Sequence, residues 1–288
     1  MDFPTRTVHL PNLGNGLDFE VLAHDAIIGP AIEKGSWADD ETGLMVAQLA
    51  TGRFADGRSS ARVVDLGANV GWFAVQAVLA GAEVDAFEPV PGIAAVARRN
   101  VEAAMACPGA GVGRVHEVAA GAEQGQATIA LDATNHGDNR VVAGDAAPED
   151  MAASEQITIQ IAPVDDLVKG PIDFLKIDTQ GSEWLAFQGA KELLASSPAM
   201  ALLLEFWPYA LRDCSDRQML EFLFGQGFTI GKATDAPYPM TIDRILKQMQ
   251  GRDPVKAGID LYGSRNRPFH VLGLGARFKG LVRSLKEP

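Results

Sequence analysis

The sequence has few of the residues that cross-linked, metal-clustered or nucleic-acid-binding proteins need. It holds 2 cysteines in 288 residues, Cys107 and Cys214, too far apart for a disulfide framework or a zinc-ligand spacing. Basic residues are also short: 25 Lys and Arg stand against 37 Asp and Glu, a formal net charge of −12. A surface that tracks a phosphate backbone needs a basic excess to displace counterions, so no nucleic-acid partner is expected. No apolar run approaches a membrane span, and "MDFPTRTVHLPNLGNG" contains no leader-like apolar stretch, so a cytoplasmic protein is expected. No internal repeat recurs, and no Pro/Ser/Gly-rich linker divides the chain. With 47% hydrophobic and 22% charged residues, the composition is that of a globular protein able to bury a full core.

What is present reads as one α/β domain with decorations. Residues 1–60 form an irregular N-terminal extension. Alternation in "LDFEVLAHDAIIG" suggests an antiparallel hairpin there, and "DETGLMVAQLATG" a short helix. A core over 61–240 follows, beginning with the strand "RVVDLG", the helix "NVGWFAVQAVLA" closed by Gly81, and the strand "EVDAFEP". In the next helix Ile93, Val96, Ala97, Val101 and Ala104 share a face, and "RVHEVAA" reads as a third strand. Alternating strand and helix predicts a doubly wound, mostly parallel sheet with helices on both sides. An insertion over 121–165 interrupts it with the strands "QATIALD" and "EQITIQIAPV" around a polar loop. The rhythm resumes with "IDFLKIDTQG", one helix over 182–197 stopped by Pro198, the strand "MALLLEFWP", a helix and the strand "FTIGKAT". Residues 241–288 read as a C-terminal extension. Its basic tail (Arg265, Arg267, Arg277, Lys279, Arg283, Lys286) is expected to be a solvated end.

The turn after the first core strand is D-L-G-A-N-V-G, residues 65–71. A dinucleotide fingerprint needs G-x-G-x-x-G, so that backbone can approach a pyrophosphate. Here Ala68 and Asn69 separate Gly67 from Gly71, which argues against phosphate. Asp65, two residues before the first glycine, suits a ligand that brings its own cation and amine. S-adenosylmethionine is such a ligand, and Glu88, ending the second strand, would accept hydrogen bonds from both ribose hydroxyls. Asp65, Gly67, Asn69, Gly71, Glu88 and Ala119 are therefore the expected cofactor residues. The bland alternative is a tight turn with a solvated Glu88.

Several of these segments carry a family resemblance. "VVDLGANVGWFAV", "FEPVP", "IDFLKIDTQGSEW" followed by "GA", and "LLLEFWP" resemble the FkbM family of S-adenosylmethionine-dependent methyltransferases, from about Ile32 to Thr234. Residues 176–183, lysine–isoleucine–aspartate–x–x–glycine–x–glutamate, are the most specific part. The resemblance implies a class I methyltransferase fold (Rossmann-like) and, most often, O-methylation of a hydroxyl on a sugar, glycan or secondary metabolite. A nicotinamide-dependent oxidoreductase and a non-catalytic S-adenosylmethionine-binding protein are the rivals.

In a doubly wound sheet the ligand sits over the carboxyl ends of the strands. Asp178 is then the first candidate for a general base, and Glu205 ends the next strand about 5 Å away. Lys176 shares a sheet face with Asp178 and is read as an ion pair holding Asp178 or another acid. Glu183 either serves the site or complements a helix dipole. His136 is the second candidate base, although an exposed loop histidine is the plainer reading. Asn139, Arg140, Glu205 and Trp207 are assigned to the acceptor, with His24 and Trp37 as a fallback region. Mg²⁺ between Asp178 and Glu205 is chemically available, but two acids without a third ligand are a weak signal and no metal site is expected. Homo-oligomerisation stays open.

Overall fold

The computed structural model describes residues 3–52, 57–132, 134–142, 155–253 and 258–269. Alternating apolar residues pair β1 (Thr5–Leu10) with β2 (Leu17–Leu22) as an antiparallel hairpin, with Val8 opposite Phe19. The expected alternation thus holds for 17–22, but its partner precedes it. The chain leaves the hairpin at Asp25, whose Oδ1 accepts the N–H groups of Ile27, Ile28 and Gly29 and starts α1 (Ile28–Glu33). Helix α2 (Asp39–Leu49) has three acids in its first turn, favourable to its dipole.

The strand–helix rhythm follows as expected in β3 (Arg62–Leu66), α3 (Trp72–Leu79), β4 (Glu83–Phe87), α4 (Pro91–Met105) and β5 (Val112–His116). Gly81, with φ +84°, lies just past α3, and the predicted apolar face of α4 is buried. The expected third strand divides: β5 ends at His116, and β6 (Ala119–Ala120) joins a different sheet. That second sheet has the order β6-β9-β7-β8, with β7 (Gly125–Leu131), β8 (Arg140–Val141) and β9 (Glu155–Ala162).

After α5 (Val164–Leu167) come β10 (Phe174–Ile177), α6 (Glu183–Gln188), α7 (Lys191–Ser196), β11 (Met200–Phe206), α8 (Asp216–Gly225), β12 (Thr229–Lys232), α9 (Ile242–Met249) and β13 (Ile259–Arg265). The single helix expected over 182–197 is two. It breaks at Gly189, where the backbone passes so close to Gly121 that a Cβ would lie 1.9 Å from the Gly121 carbonyl oxygen.

The main sheet has the order β12-β13-β11-β10-β3-β4-β5 and is parallel except for β13. Strand β13 lies in the segment read as an extension, yet it inserts between β11 and β12 and buries Leu261 and Tyr262. Its basic residues are not a solvated end either. Arg265 Nη2 donates to the Leu194 carbonyl at 2.7 Å, and Arg267 Nη1 lies 3.2 Å from Asp173 Oδ1. Arg277, Lys279, Arg283 and Lys286 lie outside the described residues. One apolar core packs α2, α3, α4 and the hairpin on one face of the sheet; a second packs α6, α7 and α8 on the other. Among the described residues no helix is long and apolar enough to cross a membrane.

Candidate active site

The site is set by strand register. Ile177 of β10 lies opposite Leu66 of β3 on one side and Leu204 of β11 on the other. Gly67 and Asp178 therefore leave the sheet side by side, next to Glu205 in the last two residues of β11. The chain approaches itself so closely here that a Cβ on Gly67 would lie 1.7 Å from the Asp178 carbonyl oxygen, so only glycine fits. Beyond it the turn runs through left-handed Asn69 (φ +50°) and Gly71 (φ +86°) into α3.

That turn places the main-chain N–H of Asn69 3.0 Å from Glu88 Oε2, while the Val90 N–H donates to Oε1 at 3.0 Å. Glu88 is 6% exposed, not solvated. Burial pushes its carboxyl up to about 7, with the two N–H bonds pulling the other way.

Lys176 and Asp65 are direct neighbours across β10 and β3. The Lys176 ammonium lies 3.3 Å from Asp65 Oδ1 and 3.6 Å from Asp178 Oδ2, and donates to the Gly67 carbonyl at 2.6 Å. Burial alone would lower its proton affinity; the two acids outweigh that and hold it above the ordinary lysine range. The ion-pair reading of Lys176 matches this arrangement. Gln180 Nε2 donates to both Asp178 Oδ1 and Glu205 Oε2, each at 2.7 Å. Burial, then the facing carboxylates of Asp178, Glu183 and Asp260, push Glu205 well above the usual carboxylate range. Glu183 is buried and holds the loop: its Oε1 accepts from the N–H groups of Thr179 and Gly181 and from the Thr179 hydroxyl.

The loop between β7 and β8 forms the opposite wall. Asp132 Oδ1 accepts from Thr134 and Asn135, and Asn139 Oδ1 accepts from the Asp132 N–H. The His136 carbonyl accepts from Asn69 Nδ2 and Asn139 Nδ2, and its N–H donates to Asp25 Oδ2. His136 is consequently buried, at 8% exposure, against Phe3, and not an exposed loop residue; burial lowers its imidazole from the ordinary value.

Between these walls lies a cavity of about 340 Å³, within the range of small-ligand sites. Gly67, Asn69, Glu88, Ala119, His136, Asn139, Asp178, Glu205 and Trp207 all line it. Asp65, Gly71 and Arg140 do not. Asp65 sits behind Lys176, Gly71 packs on Ala97, and Arg140 grips Asp138 through Nε and Nη2 while its guanidinium covers the Trp207 ring at 4.6 Å. Sequence reasoning missed Phe73 and Gln180 as lining residues and held Trp37 only in reserve. Gln180 lies three residues past the end of β10, which was the available signal; Trp37 is a lone aromatic in a polar stretch. A second cavity of about 310 Å³ shares Trp37, Phe73, Lys176, Asp178 and Glu205, and adds Glu41 and Asp260. Among the described residues no group of three or more His, Cys, Asp or Glu could hold a metal ion.

Residues 65–230 match the family described as the Methyltransferase FkbM domain. No curated protein matches the chain. Solved structures similar to it include methyltransferase FkbM from Methylobacillus flagellatus, at 17% identity and a TM-score of 0.44 over 76% of this chain and 47% of that one. The chain thus spans about half the length of that protein. Magnesium protoporphyrin IX methyltransferase from Synechocystis, with bound S-adenosylmethionine, matches at 15% identity and a TM-score of 0.42 over 83% of this chain and 84% of that one. An O-methyltransferase from Bacillus cereus, in complex with S-adenosylhomocysteine, matches at 13% identity and a TM-score of 0.41 over 84% and 83%.

Proposed function

The chain belongs to the FkbM family of methyltransferases and has a class I methyltransferase fold, and from that premise we propose that it is an S-adenosylmethionine-dependent O-methyltransferase acting on a hydroxyl of a sugar, glycan or secondary metabolite. One observation carries this reading: a single cavity has the glycine turn and buried Glu88 in one wall and the Asp178–Glu205 pair in another. Membership in a methyltransferase family decides against the nicotinamide oxidoreductase.

The residues fit the cofactor. Glu88 uses one acceptor position on each oxygen for main-chain N–H groups, which leaves one on each for the two ribose hydroxyls. Gly67, Asn69 and Ala119 supply the wall around it, Gly71 shapes the turn, and Asp65 acts by fixing Lys176. When bound, S-adenosylmethionine supplies an electrophilic methyl group on a sulfonium. The chain's own task is to align the acceptor oxygen with it and to remove the hydroxyl proton as the new bond forms. Asp178 takes that proton in this reading, and His136 is the second candidate. Glu205 and Asn139 offer hydrogen bonds to acceptor hydroxyls, Trp207 offers an aromatic face, and Arg140 acts through Trp207. The polar loop between β7 and β8 is the segment that selects the acceptor in this reading, with the N-terminal region around His24 and Trp37 as the fallback. No metal takes part in this scheme.

Calorimetric titration with S-adenosylmethionine tests the cofactor site. Methyl transfer from labelled S-adenosylmethionine to a panel of sugars and nucleotide-sugars then tests the chemistry. Absence of binding sinks the proposal; binding without transfer to any acceptor points to the non-catalytic rival.

A further inference from the structure

Gln180 stands between β10 and α6 in a backbone shape that its own chemistry does not favour. Its φ is +52°, in the left-handed region that disfavours a residue bearing a Cβ. The shape is imposed by the surroundings. Glu183 Oε1 gathers the N–H groups of Thr179 and Gly181, the Arg212 N–H donates to the Gly181 carbonyl at 3.1 Å, and a Cβ on Gly181 would lie 2.1 Å from the Ala210 carbonyl oxygen. Strain that the surroundings maintain at a cavity wall points to function. Here it places one amide: Nε2 reaches carboxyl groups at the ends of two adjacent strands, at 2.7 Å each.

Those two acids need such a group. Lys176 reaches only the far oxygen of Asp178, and is otherwise engaged by Asp65 and the Gly67 carbonyl. Glu183 from α6 and Asp260 opposite Glu205 on β13 add repulsion, and Glu41 of α2, across the second cavity, repels Asp260 in turn. We propose that Gln180 is a positioning residue for the methyl-transfer site, its amide bridging Asp178 and Glu205 so that both carboxyl groups are held at the cavity in fixed orientation. This rests on the reading of the cavity given above. The bridge works without adding charge.

Two variants separate the amide from the backbone: Q180G, which adopts positive φ without strain, and Q180M, which keeps length but has no donor. Carbon-13 labelling at Asp and Glu carboxyls lets NMR follow the Asp178–Glu205 pair through a pH titration, with no methyl donor or acceptor present. Losing hydrogen bonds that favour the charged oxygens should raise the pair's midpoints by about one pH unit or more in both variants. Q180G should also melt no lower than wild type. Unmoved or lowered midpoints in folded Q180G overturn the proposal, and failure of Q180G to fold overturns it too by making the residue structural. The titration stands whether or not S-adenosylmethionine binds, so its failure is distinct from failure of the functional reading.

Discussion

Strand β10 has buried charge at both ends, and the two ends are built in opposite ways. At its start, Asp173 is 1% exposed and neutralised on both oxygens: Arg267 lies 3.2 Å from Oδ1, while Arg58 and the Arg62 N–H reach Oδ2 at 3.1 and 2.9 Å. At its finish, Asp65, Asp178 and Glu205 gather around one lysine, with Glu88 buried nearby. Paired burial of charge is tolerable, whereas an uncompensated excess costs stability. The balanced end clamps the start of β10 to the segment after β13. The unbalanced end keeps acids that a ligand can complete, as expected where carboxyl ends of parallel strands meet a cavity.

Breaking the balanced end should have the largest effect. Asp173→Ala removes the carboxylate that neutralises Arg58 and Arg267, and loss of one partner from a buried pair costs about 3–5 kcal/mol. Denaturant unfolding should show that loss, with S-adenosylmethionine affinity in the folded fraction within a few-fold of wild type. A loss below about 1 kcal/mol would mean that the two ends do not differ as described.

At the other end the expected loss is in rate. Asp178→Asn should lower turnover by roughly 10²-fold or more, as for a positioned base, and leave cofactor affinity within a few-fold. Normal turnover would reduce Asp178 to a partner of Lys176. Stimulation by added Mg²⁺ and abolition by a chelator would replace the base role with a metal role for Asp178 and Glu205.

Glu88 lies between these extremes. Glu88→Ala should weaken S-adenosylmethionine binding by about 2–3 kcal/mol, the scale of hydrogen bonds to a charged group. Unchanged affinity in a folded variant, measured by calorimetry, removes Glu88 from the cofactor site.

The two ends of β10 were unequally legible. The strand-end residues Gly67, Glu88, Asp178 and Glu205 follow from local signals, because an apolar run ending in glycine or acid fixes where a strand stops. Asp173 and its arginines left no such trace. Their pairings join residues 94 and 115 apart in chain number, and the charges on Arg265 and Arg267 resembled a solvated tail. Strand β13 was missed for a related reason: an antiparallel strand completing a parallel sheet has no helix before it to set the rhythm. His136 misled because polar neighbours suggest solvent, while the burial comes from Asp25 and Asn69 holding its backbone.

Acidity provides a smaller test. Glu88 titrates near 7 in the folded protein against an ordinary value of 4.5, so between those values the folded state binds more protons than the unfolded one. Its contribution to stability therefore declines as pH rises through that window. Ribose hydroxyls prefer the ionised form, so cofactor affinity should move the other way, increasing by up to about tenfold per unit as pH rises toward 7 and levelling above it. In Glu88→Gln both dependences on this group should vanish. Calorimetry and thermal melts between pH 5 and 8 measure them, and a wild-type affinity independent of pH would contradict the assignment.

The smallest expected effect lies furthest from the acids, in the wall formed by residues 134–139 and β8. Arg140 does not line the cavity; its guanidinium is locked on Asp138 and covers Trp207, which does. Removing it should loosen the Trp207 face without touching the cofactor wall. His136 lines the cavity, and its buried Nδ1 has no hydrogen-bond partner among the described residues. Arg140→Ala and His136→Ala should therefore raise the acceptor KM or lower turnover several-fold, with S-adenosylmethionine affinity unchanged, because polar and aromatic walls on a rigid sheet set specificity more than rate. If kinetics match wild type for both, the acceptor must be chosen on the Trp37 and Phe73 side, where the second cavity adjoins the same two acids.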